Sequence, residues 1–494
     1  MSLTMRAGMI SLALLLLSRV LGLVRESALA AAFGVSAVAD VVVVMLTLPD
    51  MVASTLAAGA LGFVLLPWWA RQLPDEQKGS QRRVMNVLLL LGGVLALWIL
   101  LVPEQMAFLL APGLERSQST MMEAGLRWSA LALPASLAGT LWYTRLQHDR
   151  DVVGMYGMNI VHTSVILVAL ISVAFVFRSV TAMAIVGWMG AGLLAAMAMR
   201  LLFLRGRLGL AARVSARPAA AHSPQAPVTG LPGWRIWAWT LLASGLPVAL
   251  PVMARSLVSD TGVGALATFN YAWKLVELPN LLAIQLVSTL AFPAIARAHA
   301  EGRHFHAALR KAFVLAWTLA CAAALALSVG SRPLAALLFG WGSMQPEHVL
   351  EVAKWSAWGA WTLLPQALIA VLVTALATLH KMRAAALAYA VALLVLLASG
   401  VHEPKAVMTA MTLALVAVML VMLVSAWKDI VPAVAWREMA VPGLLCALLA
   451  WLGALVPVTN QAGILAVAVL SAVILMAVSV LLSSTLRSLV GRSN

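Results

Sequence analysis

Arg19, Arg25 and Glu26 stand in one apolar stretch, 8–33, and Asp40 and Asp50 stand in the next, 36–66. Arg255 closes a third stretch, 234–257, and Asn270, Lys274 and Glu277 lie in a fourth, 263–295. A charge at the centre of a membrane helix costs about 2.5–3.5 kcal/mol on insertion scales, so each needs a partner, a wet cavity or a function. Arginine forks pair bidentately with phosphate, and carboxylates hold a proton, a cation or a basic side chain. Arg19 and Glu26 are two turns apart on one helix face, and Lys274 and Glu277 are one turn apart. Three readings follow. The cations Arg19, Arg25, Arg255 and Lys274, with Asn270, line a cavity for an anionic substrate. Alternatively the charges only pair: Arg19 with Glu26 or Asp40, Lys274 with Glu277. Or Arg25 and Arg255, near span ends, snorkel to the interface. Asn270, Tyr271 and Gln285 either line the same cavity or hydrogen-bond between helices.

The elements that must position these groups are membrane spans. The hydrophobic fraction is 63% and the charged fraction 10%, with a mean hydropathy of +0.98; soluble domains carry about 25% charged residues. Fourteen apolar segments read as spans: 8–33, 36–66, 84–102, 119–143, 152–177, 180–204, 234–257, 263–295, 310–329, 350–378, 383–400, 405–427, 439–457 and 462–483. They lack the ten-residue alternation of a membrane barrel, so the fold class is an all-α integral membrane protein with about fourteen transmembrane helices. Most of the 33 Lys and Arg residues fall in alternate loops, which places both termini in the cytoplasm. The same bias accounts for the net charge of +15 without invoking nucleic acid. Arg6 followed by an apolar run resembles a signal peptide, but Arg19 and Arg25 follow with no small-residue cleavage site, so the run reads as a retained helix.

The chain repeats itself. Arg25, Gly34 and Leu48-Pro49-Asp50 return 230 residues later as Arg255, Gly264 and Leu278-Pro279-Asn280. Pro67, Ala70 and Arg71 return, after a short slip, as Pro293, Ala296 and Arg297. Interrupted spans in matching positions of two halves point to a transporter with its site between them. A Pro-rich stretch, 205–233, reads as a cytoplasmic linker. The expected organisation is therefore two pseudo-symmetric six-helix lobes, 1–204 and 234–437, around a central cavity, with two accessory helices and a tail in 438–494. Pro49, Pro279 and Gly22 are the candidate hinges.

Several chemistries are absent from the sequence. No P-loop, nucleophile elbow or HExxH occurs, so the chain reads as no enzyme. Cys321 and Cys446 are the two cysteines and build neither a disulfide framework nor a metal site. His299, His304 and His306 cluster without carboxylates to complete a metal site.

The run Ser18-Arg19-Val20-Leu21-Gly22-Leu23-Val24-Arg25-Glu26, then Phe33-Gly34, Ala39-Asp40 and Leu48-Pro49-Asp50, resembles the opening of the MurJ (MviN) family of lipid II flippases. Asn270-Tyr271-Ala272-Trp273-Lys274-Leu275 and Glu277-Leu278-Pro279 are similar to that family's corresponding motif in the second half. The resemblance implies a multidrug/oligosaccharidyl-lipid/polysaccharide exporter fold, with Arg19 and Arg25 as basic cavity residues, Asp40 as an acidic one, and Lys274 where the family has arginine. This chain departs at Ala53-Ser54 and at Ala58, where the family usually carries paired arginines and an acidic residue.

The function so implied is translocation of a polyprenyl-diphosphate-linked glycan, foremost lipid II, from the inner to the outer leaflet of the bacterial cytoplasmic membrane by alternating access. Another lipid-linked oligosaccharide of exopolysaccharide or O-antigen type, or a non-transporting scaffold of envelope synthesis, are the alternatives. The expected partners are membrane lipid and the anionic lipid-linked sugar, with cell-wall polymerases as further candidates. No cofactor is expected. The membrane potential, worth about 2.3 kcal/mol per charge per 100 mV, can drive the step. Glu26, Asp40, Asp50 and Glu277 are the charge partners or ion-coupling groups for a sodium or proton couple.

Overall fold

The computed structural model describes residues 3–55, 60–113, 116–176, 181–214, 230–280, 295, 297–299, 301, 304–379, 381–455 and 460–490. Among these residues the regular structure is helical, with no strand. In hydrocarbon, where no water can satisfy an exposed backbone, only helices and closed barrels are possible, and the segments lack a barrel's alternation. The chain forms two compact units, Met1–Ala249 with Gly262–Ala267, and Leu250–Thr261 with Thr268–Asn494.

The first unit is built from α1 (Leu3–Phe33), α2 (Ala37–Thr55), α3 (Gly62–Trp69), α4 (Pro74–Leu101), α5 (Pro103–Leu110), α6 (Arg116–His148), α7 (Val152–Val176), α8 (Ala182–Val214) and most of α9 (Trp234–Val258). Helix α6 is its axis and packs against α2, α4 and α8, while α7 packs against α1 and α8. The contacts are tight where residues are small: a Cβ on Gly92 of α4 would lie 3.1 Å from the Pro134 Cα of α6. The segment expected as one long span, 36–66, is broken into α2 and α3, and Ala58 and Gly59 lie outside the described residues. The expected boundary at 204 is displaced as well. Helix α8 runs on to Val214 because residues 205–214 hold no proline; the first comes at Pro218.

Proline 49 lies inside α2 and lacks the N–H that would reach the Met45 carbonyl. The Ser129 hydroxyl of α6 donates to that carbonyl instead, at 2.8 Å, and Ser136 donates to the Pro49 carbonyl at 3.0 Å. At the end of α2, where carbonyls have no helical partner, Ser244 of α9 donates to Thr55 at 3.0 Å.

The second unit holds most of α10 (Ala265–Pro279) together with α11 (Phe305–Phe339), α12 (Pro346–Gly359), α13 (Leu363–Thr378), α14 (Met382–Ala398), α15 (Pro404–Ser425), α16 (Trp427–Ile430), α17 (Trp436–Leu455), α18 (Gln461–Leu482) and α19 (Ser484–Val490). Helix α11 packs against α12, α13, α17 and α18. The last long helices are thus built into this unit, through a core that includes Cys321, Leu325, Cys446 and Leu475.

The duplication has a structural counterpart. Gly34 precedes α2 with φ 59°, and Gly264 precedes α10 with φ 84°. Each helix then carries the repeated proline, Pro49 or Pro279. Nine helices among the described residues are long and apolar enough to cross a membrane, or ten if the pair Trp427–Ala433 and Trp436–Gly453, bent by 66°, is one span. The expected fourteen are not reached by that measure. Helix α14 has only 17 residues, α1 carries Arg19, Arg25 and Glu26, and most of the expected span 263–295 beyond Asn280 lies outside the described residues.

Ion pairs gather at the α6–α7 turn. Arg145 Nε lies 3.2 Å from Asp149, and Arg207 grips Asp151 at 2.5 and 2.8 Å. Burial pushes the Asp151 carboxyl up, but the Arg207 hydrogen bonds and charge and the Gly154 N–H outweigh it, leaving it below its ordinary value of 3.8. Asp149 is likewise depressed: burial opposes, while His148 and Arg145 prevail.

Two outcomes follow from this geometry. Gly264→Ala must hold an alanine at positive φ and push its Cβ into Val35, so thermal unfolding in detergent should show a loss of about 1–3 kcal/mol. Gly22→Ala, with nothing within 4 Å of the new methyl, should leave stability unchanged or slightly raised. For depressed carboxyls, the stabilisation is complete above the unfolded value and lost as pH falls through the folded one. Unfolding scans should therefore show stability dropping below about pH 3.8, and Asp151→Asn should flatten that drop.

Candidate functional site

Helix α1 turns Glu26 into the first unit and leaves Arg19 exposed. Arg25 lies between: its Nη2 is 2.6 Å from Glu26 Oε1 and its Nη1 is 3.8 Å from Asp50 Oδ2. Of the alternatives for Arg19, the pairing with Glu26 is not formed. Two turns of helix separate them by about 10 Å, whereas Arg25 is adjacent. Arg19 has no ion-pair partner among the described residues, and it is the cation of this group that stands open.

Asp40 is 2% exposed. It does not meet Arg19 either. Its Oδ2 accepts from the Gly264 N–H and its Oδ1 from the Ala267 N–H, both at 2.7 Å. The carboxylate thus caps the start of α10, where backbone N–H groups lack helical partners and the helix dipole favours a negative charge.

Two polar side chains that sequence reasoning did not single out stand behind Asp50. His162 of α7 and Arg200 of α8 are each 5% exposed, and the His162 Nδ1 and the Arg200 Nε lack hydrogen-bond partners. The Asp50 charge acts on both, and His162 also feels Arg200 and Arg25. The signal was present in the sequence: a basic residue four positions before the end of the expected span 180–204 sits well inside a helix that continues to Val214.

In the second unit Lys274 Nζ lies 2.7 Å from Glu277 Oε2, both part-exposed, so this pair forms as its spacing predicts. Arg255 occupies the last turn of α9 and is half-buried. Asn270 is 3% exposed and Tyr271 fully buried, its ring 5.2 Å from that of Phe339. Of the two readings for these residues, the structure supports packing between helices over lining a wet surface. Gln285 lies outside the described residues. Beyond Pro279, Asn280 Nδ2 donates to Gln366 Oε1 at 2.6 Å, and Gln366 in turn donates to Thr362 at 3.0 Å.

An arginine of α1 shared between Glu26 of its own helix and Asp50 of the proline-bearing α2, among described residues that are apolar and helical, suits a transporter. Comparison with known proteins decides the family: the family model for lipid II flippase MurJ matches residues 29–488. The chain belongs to the lipid II flippase MurJ family. A lipid II flippase MurJ of Burkholderia cenocepacia is 31% identical over 105 residues, 21% of this chain and 20% of that protein. A probable lipid II flippase MurJ of Rhizobium meliloti is 27% identical over 358 residues, 68% of this chain and 63% of that protein. The chain thus spans less than two thirds of the length of either relative. In fold it is similar to a lipid II flippase MurJ in an inward closed conformation, with TM-score 0.77, 15% identity, and 98% and 100% of the two chains covered. It is also similar to an inward-facing multidrug resistance MATE family transporter of the MOP superfamily, with TM-score 0.66, 12% identity and coverage of 85% and 98%. The chain is therefore a multi-pass membrane protein of a transporter family, not of an enzyme family.

The Asp40 cap separates a structural role from ion carriage. Asp40→Ala strands two buried N–H donors and should lower thermal stability in detergent by about 3 kcal/mol or more, with Asp40→Asn, which keeps one acceptor, losing about half. Stability unchanged in Asp40→Ala would remove the capping role.

Proposed function

We propose that this chain carries lipid II from the inner to the outer leaflet of the bacterial cytoplasmic membrane by alternating access, with both termini in the cytoplasm. Membership of the family and the similarity to its solved fold support the reading. The observation that carries it is Arg19: an exposed guanidinium on an apolar helix, without an ion-pair partner among the described residues. Arg25, shared between Glu26 and Asp50, stands one to two turns further along the same helix.

The physical task is to bring a diphosphate through hydrocarbon. A wet, basic surface removes most of that barrier by replacing hydration with charge-assisted hydrogen bonds. Arg19 meets the diphosphate first. Arg25 follows by exchanging Asp50, at the looser 3.8 Å contact, for a phosphate oxygen. Lys274 acts in the same way against Glu277, and Arg255 adds positive field at the end of α9. An inside-negative potential drives the anionic head outward and favours the return of an unloaded, positive site. A sodium or proton couple through Asp50 or Glu277 is the second source of drive. Pro49 and Pro279 supply the bends, and cell-wall polymerases are the consumers of the exported precursor. The second reading, a flippase for another lipid-linked glycan, rests on Ala53 and Ser54, which stand where the resemblance leads one to expect arginines.

Complementation tests both. A bacterium depleted of its own lipid II flippase and expressing this chain should survive and show lipid II on its outer leaflet. Arg19→Ala and Lys274→Ala should each reduce that flux at least tenfold while membrane levels of the protein stay constant. Survival undiminished in both variants would point to a scaffold. Failure of the unaltered chain, present in the membrane at normal levels, would move the substrate to another lipid-linked glycan.

A further inference from the structure

The second unit has a basic cavity of its own, formed by none of the charged residues of α1, α2 and α10. It has a volume of about 370 Å³ and is lined by His306, Arg310 and Lys311 from the start of α11 and by Ser484, Thr485 and Ser488 of α19. No carboxylate lines it. Glu438, which feels the Arg310 charge, stands beside the cavity and is already engaged by hydrogen bonds. It accepts from the Thr485 hydroxyl at 2.9 Å, from the Thr485 N–H at 3.1 Å and from the Ser483 hydroxyl. Those bonds fix the turn between α18 and α19. Ser488 is spent on the Thr485 carbonyl, at 2.8 Å. The Arg310 guanidinium, the Lys311 ammonium and the Ser484 hydroxyl are the donors this cavity offers, and His306 adds charge at low pH.

Its height along the membrane selects the ligand. The cavity lies where α18 ends at Leu482 and α17 begins at Trp436. Trp427 and Trp436 are exposed there, as tryptophans are at the level of lipid headgroups. Pro432, in the turn between α16 and α17, closes the cavity wall. Leading away from it, α18 presents Leu470, Val473, Leu481 and Leu482 as exposed apolar side chains. A positive cavity at headgroup height beside an exposed apolar face fits one molecule in both parts.

We propose that Arg310, Lys311 and Ser484 form a binding site for the phosphodiester headgroup of an anionic glycerophospholipid, whose acyl chains lie along α18. The ligand comes from the leaflet facing the starts of α11 and α17, which is the cytoplasmic one in the orientation proposed above. The site does not depend on the identity of the transported glycan. Basic side chains near a membrane surface contribute about fivefold each to such binding, so the pair contributes roughly thirtyfold.

The test is native mass spectrometry of the full chain in detergent, titrated with phosphatidylglycerol, with phosphatidylcholine, or with inorganic phosphate. Phosphatidylglycerol should be retained in preference to phosphatidylcholine. R310Q/K311Q should weaken its retention roughly thirtyfold, and Arg437→Gln, an exposed cation outside the cavity, should alter it far less. Should the double variant fail to fold, Ser488→Asp, which puts a negative charge on the cavity wall, must weaken retention in its place. Equal retention of the two lipids, or retention untouched by a folded cavity variant, overturns the proposal. Displacement of phosphatidylglycerol by millimolar inorganic phosphate assigns the cavity to free phosphate and overturns the lipid source. Because no readout involves transport, failure here is distinguishable from failure of the flippase reading.

Discussion

Backbone groups cannot be left bare where there is no water, and the first unit is organised around meeting that requirement at a helix that breaks it. Proline 49 takes away one donor in the middle of α2. Ser129 of α6 answers at the Met45 carbonyl, and Ser136, two turns along α6, adds a bond to the Pro49 carbonyl. Ser244 of α9 answers at Thr55, where α2 ends. Neutral hydroxyls suffice for carbonyls, which already belong to strong dipoles. The N–H groups at the start of α10 lie deep in the unit and receive a full carboxylate, Asp40, with both oxygens used. The bent geometry of α2 is therefore not looseness. It is held by donors from two other helices, and α6, which supplies two of them, is also the helix around which the unit packs.

Electrostatic accounting of the same unit shows what its charges can do. Glu26 is buried and held by Arg25, while Asp50 is half-exposed and shares Arg25 more loosely. Arg200, buried behind, offsets the second carboxylate, and His162 is buried beside it. The group is close to balanced when empty, which keeps the desolvation of each charge tolerable. An arriving anion does not need a surplus of positive charge built in advance. In the reading proposed above it needs a cation whose present partner can be released to water, and half-exposed Asp50 is such a partner where buried Glu26 is not. Lys274 and Glu277 repeat the arrangement in the second unit with both partners part-exposed.

Much of this was legible in the sequence. Apolar runs gave the helices, the Pro and Gly recurrences gave the equivalence of α1–α2 with α9–α10, and the i, i+3 spacing gave Lys274–Glu277. What was missed was long-range. That Asp40 meets Gly264 and Ala267, more than two hundred residues away, has no local signature; the helix start it caps looks like any Gly-containing turn. Arg200 does not stand out as a buried cation because its apolar segment ends ten residues before its helix does, and a lone histidine such as His162 in an apolar run carries no pattern. The alternative that pairs Arg19 with Glu26 fails for a plain reason of distance: shared helix face is not shared height.

The departures at Ala53 and Ser54 are informative because the structure shows what replaced them. Ala53 is buried in α2, and the Ser54 hydroxyl turns back onto its own helix to the Met51 carbonyl at 3.0 Å. An arginine at position 53 would have to displace neighbouring side chains. Its absence is thus built into the packing of this unit, not a surface substitution on an otherwise unchanged site. With Ala53 and Ser54 in place α2 carries no cation, while Arg19 and Arg25 remain on α1. In the flippase reading proposed above, those two arginines meet the diphosphate by its charge and leave less to read the sugar beyond it.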